Sequence, residues 1–311
     1  MEDQMNHTPV LLKETLSALA CQPFDRRLRT VYLDCTVGLG GHTEAILNAT
    51  APFGRVIGID KDLQALSIAK ERLSPFQGRV TLCQGSLKTL LEITNQCNLS
   101  EVAGILFDLG ISSMQLEDAK RGFSFQIAGP LDMRMDQSLP NTAADIVNTF
   151  REKELADMIY QYGEERGSRK IAAFIVRYRE EKGKITQTTE LADIVCHAVR
   201  QKSKWTKMHP ATKTFQALRI AVNDEIRELE AGLSHAVSLL AVGGRLAVIS
   251  FHSLEDRPVK NKFRELVAPQ TTPLLKKFVN LYKKPIVPTQ EEVSKNIRAR
   301  SAKLRALERV A

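Results

Sequence analysis

The stretch Asp34-Cys35-Thr36-Val37-Gly38-Leu39-Gly40-Gly41-His42 constrains this chain more than any other. It follows the apolar run Val31-Tyr32-Leu33 and leads into a helical pattern over 43–48. Glycines at such a junction let the backbone turn sharply and approach a ligand with no side chain between. The next apolar run, 55–60, ends on Asp60, where a carboxylate can accept hydrogen bonds from both hydroxyls of a ribose. A helix over 62–73 and strands over 79–83 and 103–108 continue the alternation. That rhythm predicts a parallel α/β sheet with a nucleoside site at its carboxyl edge.

The glycine run is G-x-G-G-H, without the third glycine of a dinucleotide motif, and an acid precedes it. A pyrophosphate is poorly matched to that charge. S-adenosylmethionine has no phosphate, and its cationic sulfonium and ammonium tolerate carboxylates. Asp108 closes the fourth strand and opens Asp108-Leu109-Gly110-Ile111-Ser112-Ser113-Met114-Gln115, so it is placed to face the reaction, with Gln115 on the same rim. Leu87, just beyond the third strand, reads equally as a wall for adenine or as core.

The α/β rhythm stops at about Leu116. Up to Ala211 the pattern is helical, over 143–158, 168–178 and 189–199. Phe215, Leu218, Val222, Ile226, Leu229, Leu233, Val237 and Leu240 then form one apolar stripe, which predicts a single helix over 212–240. Gly232 within it costs about 1 kcal/mol relative to Ala, and Gly243-Gly244 reads as its end. A buried strand over 245–250 resumes the sheet. The expected organisation is a discontinuous α/β domain, 1–115 with 212–311, interrupted by a helical insertion, 116–211. Thr8-Pro9 reads as the start of a first helix.

Gln216, Arg219 and Asn223 border the apolar stripe and are candidates for a base, a phosphate or Asp108. Ser250-Phe251-His252-Ser253-Leu254-Glu255-Asp256-Arg257 leaves the fifth strand as a polar loop, with His252 and Glu255 as candidate proton acceptors. Metalloprotease, P-loop and α/β-hydrolase motifs are absent from the sequence. Five cysteines, an odd number with no C-x-x-C spacing, argue against a disulfide framework and against a cysteine zinc site. The net charge is +8, of which residues 271–311 carry ten Lys/Arg against three Asp/Glu. Further cations gather at Arg166, Arg169, Lys170, Arg177, Arg179, Lys182 and Lys184, and at Arg200, Lys202, Lys204 and Lys207 beside Trp205. The C-terminal excess suits a polyanion such as RNA, DNA or a membrane surface, and reads equally as a solvated tail; the cations near Trp205 and in the insertion suit a nucleic acid. No secretory signal, presequence or apolar run of membrane-spanning length is evident, so a cytosolic protein is expected.

These segments together resemble the ribosomal RNA small-subunit methyltransferase H (MraW/RsmH) family, the cytosine-N4 methyltransferases. The resemblance runs from His7-Thr8-Pro9-Val10-Leu11 through the glycine loop and Asp108-Leu109-Gly110-Ile111-Ser112-Ser113. It continues through Arg121-Gly122-Phe123-Ser124-Phe125, Pro130-Leu131-Asp132-Met133-Arg134-Met135, Pro210-Ala211-Thr212, Phe215-Gln216-Ala217-Leu218-Arg219-Ile220 and the 250–257 loop, and closes at Arg300-Ser301-Ala302-Lys303-Leu304-Arg305. It implies a class I (Rossmann-like) S-adenosylmethionine-dependent methyltransferase with a helical inserted domain that serves RNA recognition. The acceptor it implies is a cytidine N4 in the decoding region of small-subunit ribosomal RNA, within the small subunit. The cofactor contacts it implies are Gly40, Gly41, His42, Asp60, Leu87, Asp108 and Gln115; no metal is implied, and the oligomeric state, a homodimer included, stays open. Position 87 is often aromatic in the family, whereas Leu87 offers no ring to stack. Asp108-Leu109-Gly110-Ile111 also lacks the prolines and the aromatic of the D-P-P-Y turn that many amino-methyltransferases use. The alternatives are an amino-methyltransferase acting on DNA or protein, and a non-catalytic ribosome-assembly factor.

Overall fold

The computed structural model describes residues 9–23, 30–199, 209–268 and 278–311. It divides into two compact units, 1–110 with 226–311, and 111–225. Thr8 and the group from Arg200 to Lys207 lie outside the described residues, as do Lys276 and Lys277.

The first unit is built on β1 (Val31–Asp34), β2 (Arg55–Asp60), β3 (Val80–Gln84) and β4 (Val102–Asp108), with helices α1 (Leu12–Ala18), α2 (Gly41–Ala49), α3 (Leu63–Arg72) and α4 (Leu90–Gln96). All four strands are mutually parallel where they pair. Side chains alternate across the sheet with the two-residue period of a strand. Leu33, Ile57, Ile105 and Phe107 face one core, with Leu90 and Ile93 of α4. Tyr32, Val56 and Leu106 face the other, with Leu11, Ile46, Leu47 and Ala69. Both faces are covered, which is why these strands read as near-continuous apolar runs.

The second unit is helical: α5 (Ser113–Glu117), α6 (Ala143–Thr149), α7 (Glu152–Gly163), α8 (Ser168–Lys182), α9 (Thr188–Val199) and α10 (Thr212–Asn223). The stretch expected as one helix over 143–158 is two, because Phe150 and Arg151 adopt extended backbone and cap α6 and α7. Its core joins Ile146, Val147, Leu155 and Ile159 to Ile171, Ile175, Leu191 and Val195, and also to Phe215 and Leu218 of α10. Hence α10, which the sequence reading assigns to the α/β domain, packs with the helices.

The chain returns to the sheet through α11 (Glu225–Leu239), β5 (Leu240–Ser250), α12 (Ser253–Val267), β6 (Phe278–Asn280), α13 (Gln290–Lys295) and β7 (Lys303–Arg309). The single helix expected over 212–240 is broken at Asp224, whose φ of 49° is left-handed. Asp and Asn are the non-glycine residues that tolerate that conformation best. Gly243 does not cap a helix; it sits inside β5 at φ 80°, where the β4–β5 register shifts. The sheet order is β3-β2-β1-β4-β5-β7-β6, with β5 parallel to β4 and β7 antiparallel to β5 and β6. This is the doubly wound sheet with one reversed strand of a class I, Rossmann-like methyltransferase fold. Among its described residues, the basic C-terminal segment is not a solvated tail. Its β7 lies between two other strands, and Arg305 makes a two-pronged contact with Asp256 of α12, at 2.6 and 3.1 Å.

Candidate active site

In an open α/β sheet a ligand sits beyond the carboxyl ends of the strands, where the strand order reverses. Here the reversal lies between β1 and β4, whose ends carry Asp34 and Asp108. The glycine loop is held over this crevice from both sides. Val37 N donates to Ile59 O of β2 at 3.1 Å, and Asp108 N donates to the Thr36 hydroxyl at 2.6 Å. Thr36 therefore ties the two strand ends together, a role the sequence reading did not assign.

Asp34 is wholly buried and faces inward: Thr43 Oγ1 donates to its Oδ2 at 2.6 Å and Thr36 N to its Oδ1 at 3.3 Å. Burial raises its pKa to about 6 despite these donors. It braces the loop and is not directed at a ligand, contrary to the reading of that acid as a partner for a cation. Asp60 accepts from Gly38 N at 2.7 Å and from Asp62 N at 2.9 Å. Burial raises its pKa, with those two donors opposing the shift. Each of its oxygens keeps a lone pair for a further donor.

The glycines divide their work. Gly40 holds a left-handed φ of 84°, and a Cβ there would lie 3.3 Å from Leu73, the C-cap of α3. A Cβ on Gly41 would lie 2.6 Å from Pro9. Both positions are therefore explained by chain packing. Gly38 is the one that faces open space, with nothing closer than Thr36 O at 4.0 Å to where its Cβ would be.

His42, the second residue of α2, is 5% exposed. Burial lowers its pKa to about 4, so the ring is neutral at physiological pH. Its Nε2 lies 3.5 Å from Asp108 Oδ2, too long for a good hydrogen bond. Burial, then the nearby charges of Asp34 and Glu255, push the Asp108 pKa well up. With the ring neutral at physiological pH, His42 makes no ion pair with Asp108 there. Neither ring nitrogen of His42 nor Oδ1 of Asp108 makes a well-formed hydrogen bond among the described residues, although the Val10 backbone lies close enough to the ring to oppose the lowering of its pKa. Orphaned buried polar atoms at a strand-end crevice are the mark of a ligand's place.

Leu87 is 6% exposed and belongs to the sheet core. It presses on α11 at Gly232, where a Cβ would come within 2.6 Å of its own. That close approach is what the helix-interior glycine permits. Gln115 lies in the helical unit, where it closes a capping box with Ser112: Ser112 N donates to its Oε1 at 3.1 Å and Gln115 N to Ser112 Oγ at 3.2 Å. Gln216, Arg219 and Asn223 serve that unit too. Gln216 donates to Tyr162 O, and Arg219 makes a two-pronged pair with Glu225 at 2.8 and 2.7 Å. Asn223 bonds the backbone of Met133 and Met135. Arg179 likewise caps the carbonyls of Val147 and Phe150. Arg169, Lys170 and Arg177 remain exposed on α8 and Arg166 just before it, with the Arg177 guanidinium 4.6 Å over the Phe174 ring.

His252 caps α12, its Nδ1 accepting from Glu255 N at 3.3 Å and its Nε2 3.0 Å from Glu255 Oε1. Glu255 Oε2 accepts from Phe251 N at 2.8 Å. The bonds assign the Nε2–H tautomer to His252, so both its nitrogens are engaged.

The site thus offers carboxyl groups, a neutral imidazole and one open glycine. Two of the loop N–H groups that could meet a phosphate are already used, Gly38 N by Asp60 and Gly40 N by Val37 O. This donor set fits S-adenosylmethionine, a phosphate-free nucleoside with a cationic end.

Comparison with known proteins agrees. The model of the MraW methylase family matches residues 4–310. The chain is 46% identical over 316 residues to ribosomal RNA small subunit methyltransferase H of Carboxydothermus hydrogenoformans, covering 99% of each chain. It is 46% identical over 317 residues to the protein of that name from Syntrophobacter fumaroxidans, covering 98% of this chain and 97% of that one. For the Geotalea daltonii protein of the same name the figure is 47% over 313 residues, covering 98% of each. A family match over nearly the whole chain, on a sheet whose strand-end acids and glycine loop suit a methyl donor, leaves one conclusion: the chain belongs to the MraW methylase family.

Proposed function

We propose that the protein transfers a methyl group from S-adenosylmethionine to small-subunit ribosomal RNA, and that the acceptor is the N4 amino group of a cytidine in the decoding region. The observation that carries this is the near-complete family match together with the orphaned Asp108–His42 pair at the β1/β4 reversal. S-adenosylmethionine supplies an electrophilic methyl on a sulfonium. Asp60 takes the ribose hydroxyls, Gly38 leaves room for the sugar, and the loop after β3 around Leu87 borders the adenine. His42 and Asp108 lie toward the cationic end, and Gln115 is retained as a further cofactor contact.

Cytosine N4 is a weak nucleophile because its lone pair is delocalised into the ring. Holding it in line with the methyl group supplies much of the acceleration, and the base must leave its stack to be held there. As the N–C bond forms, N4 loses a proton. Asp108 is the acceptor of choice, since a cation beside it favours its ionised form. His252 and Glu255 hold each other and the start of α12, which makes them positioning groups for the 250–257 loop before proton acceptors. The exposed cations of α8 suit the RNA backbone, in keeping with RNA recognition by the helical insertion. No helix among the described residues is long and apolar enough to cross a membrane, and a ribosomal RNA substrate would set the activity in the cytoplasm.

The test is incubation with small ribosomal subunits lacking the modification and S-adenosylmethionine bearing a deuterated methyl. The RNA is then digested to nucleosides for mass spectrometry. Labelled N4-methylcytidine is expected. Label only on naked DNA or protein would overturn the substrate, and cofactor binding with no label anywhere would favour an assembly factor.

A further inference from the structure

We infer that Glu228 is a positioning residue for the adenosine half of the cofactor, acting as a clamp that fixes the loops after β2 and β3 against α11. The inference rests on the proposed cofactor site and adds to it a residue that sequence reading did not single out.

Three residues on one face of α11, at helical spacing, grip the loop after β3. Glu228 accepts the backbone N–H of Lys88 at 3.3 Å. One turn on, Gly232 lets Leu87 approach more closely than any side chain would allow. His235 Nδ1 then lies 3.3 Å from Leu87 O. Glu228 also reaches the other flank of the subsite. Its Oε2 is 3.5 Å from Lys61 Nζ and its Oε1 is 3.6 Å from Lys88 Nζ. Lys61 directly follows Asp60, the acid proposed for the ribose. Glu228 is only 9% exposed and the Lys61 side chain 21%, so that pair is the better shielded from salt, whereas Lys88 is 41% exposed.

The chemistry explains why a carboxylate is needed. Two ammonium groups converge on one anion. With a neutral side chain there, the lysines would repel, and the loops carrying Asp60 and Leu87 would spread. Binding would then have to close them again, at a cost in affinity. The clamp makes no contact with the transferred methyl or the acceptor, so it should act on cofactor affinity and leave turnover at saturation unchanged.

The experiment is calorimetric titration of the full chain with S-adenosylhomocysteine and with 5′-methylthioadenosine, which lacks the amino-acid end. Glu228→Gln is expected to weaken both by about the same factor, roughly tenfold, the scale of removing one charge-assisted hydrogen bond. KM for S-adenosylmethionine should rise similarly with kcat held. The triple variant Lys61→Met, Lys88→Met, Glu228→Gln removes the repulsion and should recover most of the loss. A purely structural role would lower the unfolding temperature while leaving affinity intact in the cold, and that outcome overturns the inference. So does a loss for S-adenosylhomocysteine without one for 5′-methylthioadenosine. If Glu228→Gln does not fold, Lys88→Met alone should still weaken both ligands, by about threefold, and unchanged affinity there also overturns it. Failure of the wild-type protein to bind either ligand would refute the cofactor site itself, a result distinct from normal wild-type binding with unaffected variants.

Discussion

Cofactor affinity should rise with pH, and Asp108 should be the reason. In the ligand-free protein burial, then the charges of Asp34 and Glu255, push its pKa well above the ordinary carboxylate value. It therefore holds its proton to a higher pH than an ordinary carboxylate does. A sulfonium beside it favours the carboxylate, so binding must expel that proton. Below the free-state pKa, each unit of pH costs about 1.4 kcal/mol of binding, or about tenfold in affinity. Two features limit the slope. A quarter of the Asp108 side chain still meets solvent, which moderates the shift, and the repulsion from Asp34 is felt only above its own pKa of about 6. Log affinity is expected to rise with pH, by at most about one per pH unit, over the range in which the free carboxyl still holds its proton. Calorimetry of S-adenosylmethionine in buffers of different ionisation enthalpy should report net proton release that grows as the pH is lowered. S-adenosylhomocysteine, without the sulfonium charge, should release fewer. Asp108→Asn should flatten the pH dependence. A flat profile with no proton release in the wild type, or an unaltered slope in the variant, would refute the argument and leave Asp108 as a neutral hydrogen-bond donor.

Asp34→Asn should remove a pH dependence of stability. The folded chain keeps the Asp34 proton up to about pH 6, whereas the unfolded chain loses it near 3.8. The wild type should therefore gain about 3 kcal/mol relative to the variant as pH falls from above 6 to below 4, read from paired urea titrations. Gly40→Ala should cost about 2 kcal/mol, from the left-handed φ of 84° and the Leu73 contact, visible as a lower unfolding midpoint. Asn223→Ala should strand the Met135 N–H and the Met133 carbonyl, which it now bonds at 2.7 and 2.8 Å. A loss of about 3 kcal/mol and faster hydrogen exchange at Met135 are expected. Replacing Arg166, Arg169, Lys170 and Arg177 by Gln should weaken RNA binding and lower its salt slope by about 0.7 for each phosphate no longer neutralised, with S-adenosylhomocysteine affinity unchanged.

How much of this was legible in the sequence depended on how far apart the partners lie in the chain. The first four strands and the acids at their ends follow from local patterning, because a doubly covered strand must be apolar along its length and a polar residue marks where it leaves the core. The glycine loop was equally local, but its residues were only half readable. Gly40 and Gly41 read as a ligand's approach, and the structure adds that Leu73 and Pro9 crowd any side chain there, contacts that no spacing rule supplies. Asp34 looked like a partner for a cation and is turned inward by Thr43, nine residues away. The last strand was missed for a related reason. Lys303-Leu304-Arg305-Ala306-Leu307-Glu308-Arg309 alternates as a strand should, yet its cations suggested a tail until Asp256 supplied their partner.

The apolar stripe over 212–240 shows the limit most clearly. Its periodicity is real, and the inference of a continuous helix was sound as far as it went. The stripe serves two cores, however: Phe215 and Leu218 pack among the helices of the insertion, while Leu229 and Leu233 pack on the sheet. A pattern of period 3.6 records only that each turn has a buried side, not which core buries it. The one local sign of the change was Asn223-Asp224, a pair that tolerates left-handed backbone, and Asp224 takes it. The same argument explains why Glu228 passed unnoticed. It lies four residues beyond the break on a face that reads as ordinary solvated helix, and the lysine whose amide it accepts is 140 residues distant in the chain. Residues that bind a ligand tend to cluster in short motifs at strand ends, where sequence can find them. Residues that hold those motifs in place come from whichever element the fold brings alongside, and here that element enters only after the insertion has returned the chain to the sheet.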